Sequence, residues 1–169
     1  AYDMGRRGDD YLVAFHALSY MSDVLHLKGK LNRAAELSQQ AIELAGQSPA
    51  AGPARFFLGV VLYEWNKLEE STHNLQIAAD LLGIRGTPDN IDNSNIVLAN
   101  ARLTRGDITG CLAAMEKSSQ AASRGNMRPA TQARQAAWRI MLAIRQDDLT
   151  AALYWGSRLS EYDDVLQFQ

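Results

Sequence analysis

Four stretches of the chain share one arrangement of apolar and polar positions. In each stretch a small or charged residue precedes an aliphatic residue, and small residues then follow at helical spacing. The aliphatic positions, which are 37, 40 and 41 residues apart, are Leu31, Leu68, Ile108 and Leu149. A repeat of this length is typical of a solenoid, in which pairs of helices stack on one another. The pattern therefore predicts a protein that offers extended surfaces for binding.

Apolar residues around these positions recur every three or four residues, as they do along a helix. In the first predicted helix the buried apolar stripe consists of Leu12, Phe15, Leu18, Met21 and Leu25. Gly29 is predicted to end that helix. The pattern predicts helix pairs at about 10–46, 51–83, 93–123 and 129–161, with residues 83–93 as the longest linker. Connections of two or three residues make the helices of a pair antiparallel. Since no stretch reads as a strand, we predict an all-α solenoid of about four such pairs.

Composition narrows the classes of partner. The chain has 17 Lys and Arg against 19 Asp and Glu, a formal charge of −2, and both signs are scattered along it. This excludes the basic stripe that a nucleic-acid surface needs. The single cysteine, Cys111, excludes an internal disulfide and fits a reducing, cytoplasmic compartment, where it should be a small buried side chain. The longest apolar runs are too short to cross a membrane, so we expect no membrane partner.

Both ends of the sequence suggest a longer parent chain. The first residues, AYDMGRRGDD, lack an initiator Met and an apolar signal core, and the last residues, VLQFQ, begin a new apolar pattern. We therefore expect residues 1–169 to form a single helical-repeat domain within a larger protein.

The second predicted pair resembles a tetratricopeptide repeat (TPR). Leu58 and Gly59, then Ser71, Leu75 and Ala78, stand where that repeat has its Leu-Gly pair and its small and large positions. The stretches LHLKGKLNRAAELSQQAIELA and LYEWNKLEE are similar to the helical-repeat region of MalT-like, ATP-dependent LuxR-family transcriptional regulators. The resemblance covers most of the chain and is looser in the third and fourth pairs. It implies a TPR-like superhelix.

The resemblance also implies where other functions of such a regulator would lie. ATP is expected in the missing N-terminal region of the parent, and this segment contains no phosphate-loop motif and is predicted to hold no cofactor. DNA would be contacted only through a missing C-terminal helix-turn-helix. The superhelix would receive a small-molecule inducer or peptide, and would support self-association or contacts with the parent's other domains.

Candidate site residues come from a polar stripe on the first helix and from its counterparts. His16, Ser19, Asp23 and His26 are spaced three, four and three residues apart and so share one face. In TPR arrays the first helix of each pair lines the concave groove, which adds candidates from later pairs: Phe56, Tyr63, Glu64, Asn93, Asn100, Arg134 and Arg145. The alternative is that these residues are ordinary groove walls. A metal site is not predicted, because one helix offers too few ligands.

No nucleophile elbow, paired acids or metal spacing indicates catalysis, so the chain is not expected to be an enzyme. The preferred hypothesis is the ligand-sensing and protein-interaction superhelix of a LuxR-type, MalT-like transcriptional activator. The alternative is a free-standing TPR scaffold that binds a peptide or protein partner. The sequence does not identify the inducer, the partner or the oligomeric state.

Overall fold

The computed structural model describes residues 10–46, 48–124 and 129–160. The described residues form eight α-helices and one 3-10 turn, Pro49–Ala51, and contain no strand. The helices are α1 Asp10–Leu27, α2 Leu31–Ala45, α3 Gly52–Glu64, α4 Leu68–Arg85, α5 Pro88–Thr104, α6 Ile108–Arg124, α7 Pro129–Arg145 and α8 Leu149–Ser160. Consecutive helices form pairs one to four. The predicted all-α solenoid is confirmed.

Within every pair, one left-handed residue ends the first helix. These residues and their φ angles are Gly29 (69°), Asn66 (57°), Gly106 (80°) and Asp147 (56°). The next N–H donates to a carbonyl five residues back, over 2.8 to 2.9 Å: Lys30 to Leu25, Lys67 to Leu62, Asp107 to Arg102, and Asp148 to Ala143. This Schellman geometry satisfies carbonyls that the helix end leaves open. The four turns are therefore copies of one structure, and their spacing is the spacing of the sequence repeat.

Small residues let the two helices of a pair approach each other closely. Ser71 donates a 2.8 Å hydrogen bond to the carbonyl of Gly59, across the α3–α4 interface. A Cβ at Gly59 would lie only 2.6 Å from Cγ of Leu75, so the position requires glycine. In pair one, Ser22 likewise donates to the carbonyl of Ala34 at 2.9 Å.

The pairs stack so that successive first helices touch. α1 contacts α3, α3 contacts α5, and α5 contacts α7, while α2 and α4 also pack on the first helix of the next pair. One apolar cluster, with Phe15, Leu37 and Ala54 at its centre, joins pairs one and two. A second, around Leu75, Ile96 and Met115, joins pairs two and three.

The structure corrects the predicted linker at 83–93. α4 continues to Arg85 and α5 begins at Pro88, so only Gly86 and Thr87 connect them. The Thr87 side chain caps α5 by accepting from the Asn90 N–H, and Pro88 occupies the first turn, where it is tolerated. Asp92, one of the polar residues that resembled a loop, is a fully buried helical residue.

Two predicted core faces were also partly wrong. Met21 is 55% exposed, whereas Ser19 and Ser22 are buried, because their hydroxyls are satisfied by backbone carbonyls. In α7 the spacing of apolar residues predicts that Ile144 faces inward, but its side chain is exposed. The predicted burial of Leu12, and the parts of the predicted pairs that fall at 47, 125–128 and 161, lie outside what the structure describes.

Candidate ligand-binding groove

A groove with a volume of about 580 Å³ lies across pairs one, two and three. One wall is α1 and the opposite wall is the end of α4 with the start of α5, and α3 and the turn before it lie between them. The lining residues are His16, Ser19, Tyr20 and Asp23 from α1; Ser48, Pro49, Ala50, Pro53, Phe56 and Phe57 from the middle; and Leu81, Leu82, Arg85, Gly86, Asn90 and Asn93 from the opposite wall.

The α1 wall is polar and aromatic because its lining residues are three or four positions apart on one helix. The His16 ring stacks on Tyr20 at 6.4 Å and meets Phe15 edge-on at 5.2 Å, measured between ring centroids. Ser19 contributes little polarity, since it is only 1% exposed and its hydroxyl donates to the Phe15 carbonyl at 3.0 Å. His16, Tyr20 and Asp23 are therefore the α1 side chains that a ligand would contact.

The floor of the groove is apolar. Phe56 and Phe57 meet edge to face, with ring centroids 5.4 Å apart. Leu81 and Leu82 from the last turns of α4 line the same cavity. An apolar floor with a few polar groups at its walls is the usual composition of a small-molecule site.

The opposite wall depends on the tight connection between α4 and α5. The Gly86 N–H donates to the Leu82 carbonyl, and a Cβ at Gly86 would lie 2.5 Å from that oxygen. Glycine is therefore required, and the chain enters α5 immediately. Arg85, Asn90 and Asn93 thereby line the same cavity from either side of this short connection.

Five of the eleven residues predicted from the sequence line this groove: His16, Ser19, Asp23, Phe56 and Asn93. They come from α1, α3 and α5, the first helices of three successive pairs, as the transfer of positions from one repeat to the next predicts. Their contact with a ligand stays a prediction, and Ser19 is almost fully buried with its hydroxyl bonded to the Phe15 carbonyl.

The other six predicted residues do not line the groove. His26 lies beside the α1 turn, where its carbonyl accepts from Gly29. Tyr63 donates to or accepts from the Thr104 hydroxyl at 3.1 Å and packs on the second apolar cluster, so it joins α3 to α5. Glu64 and Arg145 are exposed last residues of α3 and α7, and the Asn100 carbonyl accepts from Thr104.

Arg134, the remaining candidate, belongs to a buried polar cluster at the junction of pairs three and four. Its Nη2 lies 3.7 Å from Oδ2 of Asp92, which is fully buried. The other Asp92 oxygen accepts from Ser118 at 2.5 Å and from Gln135 at 3.1 Å. Burial raises the pKa of the Asp92 carboxyl, and the Ser118 hydrogen bond and the Arg134 charge oppose that rise. Arg134 thus holds helices together and is no part of the groove.

Sequence reasoning missed the lining residues Tyr20, Phe57 and Arg85. Tyr20 and Phe57 are 37 residues apart, which is the first repeat spacing, so a signal for them was present. Arg85 had no such signal, because it comes from the second helix of its pair and from a stretch predicted to be a linker.

A second cavity, of about 590 Å³, lies on the other face of pair one, and apolar residues such as Val13, Met21 and Leu37 line it. Ala17 and Val24 of α1 stand 37 residues before Ala54 and Val61, which are buried where pair two meets pair one. This exposed face of α1 is therefore the counterpart of an interface that is covered further along the array.

Cys111 is buried, as predicted, at the close contact between α5 and α6. Burial and then the Asp107 charge raise the pKa of its thiol, which leaves it a poor nucleophile. No group of three His, Cys, Asp or Glu side chains in the described ranges could hold a metal ion. None of the described helices is long and apolar enough to span a membrane.

Comparison with known proteins identifies relatives of this architecture. The sequence matches the family described as the MalT-like TPR region over residues 1–167. No curated protein sequence matches the chain significantly.

Solved structures share the fold at low sequence identity. BtubC (BKLC) from P. vanneervenii superposes with a TM-score of 0.80 at 13% identity, over 96% of this chain and 68% of that one. A Podospora anserina protein assigned as a kinesin light chain, with nearly identical TPR-like repeats, gives 0.65 at 12% identity, over 89% and 77%. A MamA RS-1 double mutant gives 0.62 at 15% identity, over 92% and 78%. These likenesses show a TPR-like solenoid fold.

Proposed function

Because this chain belongs to the family of MalT-like TPR regions, we propose that it is the ligand-sensing superhelix of a LuxR-type transcriptional regulator. The ligand, an inducer, occupies the groove between α1, α3 and the α4–α5 connection. The chain carries out no catalysis. ATP binding and DNA binding belong to other regions of a cytoplasmic parent protein.

The observation that carries this proposal is the groove itself. Its walls come from three successive pairs, its floor is apolar, and its polar side chains converge from opposite sides. A ligand seated there contacts pairs one, two and three together. Its binding therefore favours one relative arrangement of those pairs, by as much as its affinity differs between arrangements.

The proposal is tested first by thermal unfolding of the chain with a panel of sugars, amino acids and short peptides. A bound compound at a hundredfold its dissociation constant adds about 2.7 kcal/mol to the free energy of unfolding. The groove variant Tyr20→Ala should weaken that stabilisation, because Tyr20 is exposed and lines the cavity.

The chain offers a matched control for this experiment. Tyr154 on α8 is also exposed and lies far along the array from the groove, so Tyr154→Ala should leave ligand binding unchanged. Binding that both variants weaken equally, or no response to any compound, would contradict a sensor site in this groove.

A free-standing TPR scaffold that captures a peptide or protein partner is the second candidate, because the fold relatives are TPR-like repeat proteins. The coding sequence on either side of this segment distinguishes the regulator from the scaffold. A phosphate-loop motif upstream and a helix-turn-helix downstream, with promoter binding that responds to the ligand, supports the regulator. A stoichiometric protein partner in place of a metabolite response supports the scaffold.

A further inference from the structure

Two side chains of opposite charge line the groove. Asp23 stands on the α1 wall, and Arg85 stands on the wall formed by α4 and α5. Every other lining residue is apolar or uncharged, apart from the imidazole of His16. The lining therefore carries a negative charge on α1 and a positive charge at the end of α4, together with the two phenylalanine rings of α3.

Neither charge is satisfied by the described part of the protein. The structure gives the side chains of Asp23 and Arg85 no hydrogen bond and no ion pair. By contrast, Arg102 on α5 makes both a hydrogen bond and an ion pair, and Arg134 on α7 makes an ion pair. An unpaired carboxylate and an unpaired guanidinium on opposite walls can each accept a ligand group of the other sign.

From this arrangement we infer that the occupant is a short free peptide in its zwitterionic form. Its terminal ammonium lies against Asp23, its terminal carboxylate lies against Arg85, and an apolar side chain packs on Phe56 and Phe57. A neutral sugar would supply no opposite charge to either Asp23 or Arg85. The inference rests on the proposed function, since it names the ligand of the same groove.

Size and hydrogen bonding agree with a peptide of a few residues. A cavity of about 580 Å³ lies in the range that encloses drug-sized molecules. The amides of Asn90 and Asn93 on the positive wall can each donate and accept, which matches the alternating N–H and C=O groups of a peptide backbone. Ser19 does not take part, because its hydroxyl is already bonded to Phe15.

The test pairs each ligand charge with its protein charge. The tripeptide Ala-Leu-Ala is titrated calorimetrically into the full chain as the free zwitterion, as the N-acetyl form and as the C-amide form. The proteins are the wild type, Asp23→Asn and Arg85→Gln, with Asp147→Asn and Arg145→Gln as controls outside the groove. Both controls are exposed, and Asn tolerates the left-handed backbone at 147.

The expected result is a matched loss. Each cap should weaken binding to the wild type by roughly two- to fivefold, the size of a partly exposed ion pair. Acetylation should have no further effect on Asp23→Asn, and amidation none on Arg85→Gln. The two controls should behave as the wild type does.

Four other outcomes overturn the inference, and they separate it from the proposed function. Free and capped peptides that bind equally, or caps whose effects pair with the wrong variant, remove the charge assignment and leave the groove as a binding site. The same holds if the tripeptide is silent but a sugar binds and Tyr20→Ala weakens it. If no compound binds at all, the proposed function fails with the inference.

Discussion

Three repeat positions that are apolar where pairs one and two meet are polar where pairs three and four meet, although Trp138 and Leu142 of α7 also pack on the second apolar cluster. At the first junction Phe15, Ala41 and Ala54 are fully buried in one cluster. Counting two repeats further along the chain from these positions gives the equivalent residues at the last junction. They are Asp92, Ser118 and Gln135, which hydrogen-bond to one another. Equivalent positions of the repeat therefore hold apolar side chains at one junction and hydrogen-bonded polar side chains at the other.

The two junctions should differ in how much they stabilise the array. Apolar burial contributes directly, at about 25 cal/mol for each Å² removed from water. A buried carboxylate must first offset the loss of its hydration, so a polar junction specifies geometry more than it adds stability. In the described ranges α6 and α7 also lack the extensive contact that α2 makes with α3 and α4 with α5. The groove therefore lies on the firmly packed part of the array, and pair four is its weaker neighbour.

The largest predicted effect comes from emptying the apolar junction. Phe15→Ala should lower the free energy of unfolding by about 3–5 kcal/mol, because the ring is fully buried and its removal leaves a cavity. Urea denaturation measures the loss. Met21→Ala, on the exposed face of the same helix, is the control and should cost less than about 1 kcal/mol. Equal losses in both variants would remove the special role of this junction.

A smaller effect is predicted at the turns, which are alike in both parts of the molecule. Gly29→Ala and Gly106→Ala should each cost about 1–2 kcal/mol in unfolding free energy, since both glycines have positive φ and no atom lies within 4 Å of the added Cβ. Gly83→Ala, at a glycine inside α4 with equal free space and a backbone outside the left-handed region, should be neutral or stabilising. If the two glycine substitutions lowered the unfolding free energy by very different amounts, the turns of pairs one and three would differ as the junctions do.

Removing the buried charge should have a still smaller effect. Asp92→Asn is expected to change the unfolding free energy by less than about 1 kcal/mol near neutral pH. The asparagine oxygen can still accept from Ser118 and Gln135, and Arg134, whose side chain is 43% exposed, can be hydrated once its partner is neutral. A loss above about 3 kcal/mol would show that the ion pair is a net source of stability.

The smallest predicted effect is the way the difference in unfolding free energy between the wild type and Asp92→Asn changes with pH. Because burial raises the pKa of Asp92 in the folded chain, the folded state binds its proton more readily than the unfolded state does. The wild type should therefore gain stability relative to Asp92→Asn as the pH falls from neutral towards the ordinary carboxyl pKa. Below that value the gain is complete. Urea titrations of both proteins at several pH values measure the difference, and a relative loss on acidification would contradict it.

The repeat was predictable from the sequence because the turn chemistry is local. Gly29, Asn66, Gly106 and Asp147 are residue types that tolerate the left-handed backbone, and each is followed at a fixed distance by an aliphatic residue. Spacing alone therefore locates the four pairs and the all-α class.

The start of α5 was not predictable by the same reasoning. Its first turns are rich in Asn and Asp, which favour loops when they are exposed. In the folded chain Asp92 and Asn95 are buried, and Asp92 takes its hydrogen bonds from α6 and α7. A tertiary contact, which local propensity does not contain, decides that this segment is helical.

The candidate site was half predictable for a related reason. Transfer of positions along the first helices located the α1 wall and Asn93, because these follow the repeat. The positive wall at Arg85 comes from the end of a second helix and from a two-residue connection, which only the folded structure brings to the groove. The charge asymmetry of the groove was therefore invisible in the sequence.

Amide hydrogen exchange of the chain, with and without saturating free Ala-Leu-Ala, tests most directly whether this groove is the binding site. The account predicts that the peptide slows exchange in α1, in the last turns of α4 and at the start of α5, and leaves α7 and α8 unchanged. Slower exchange centred on α7 and α8, or on the outer face of pair one with the groove unaffected, would contradict it.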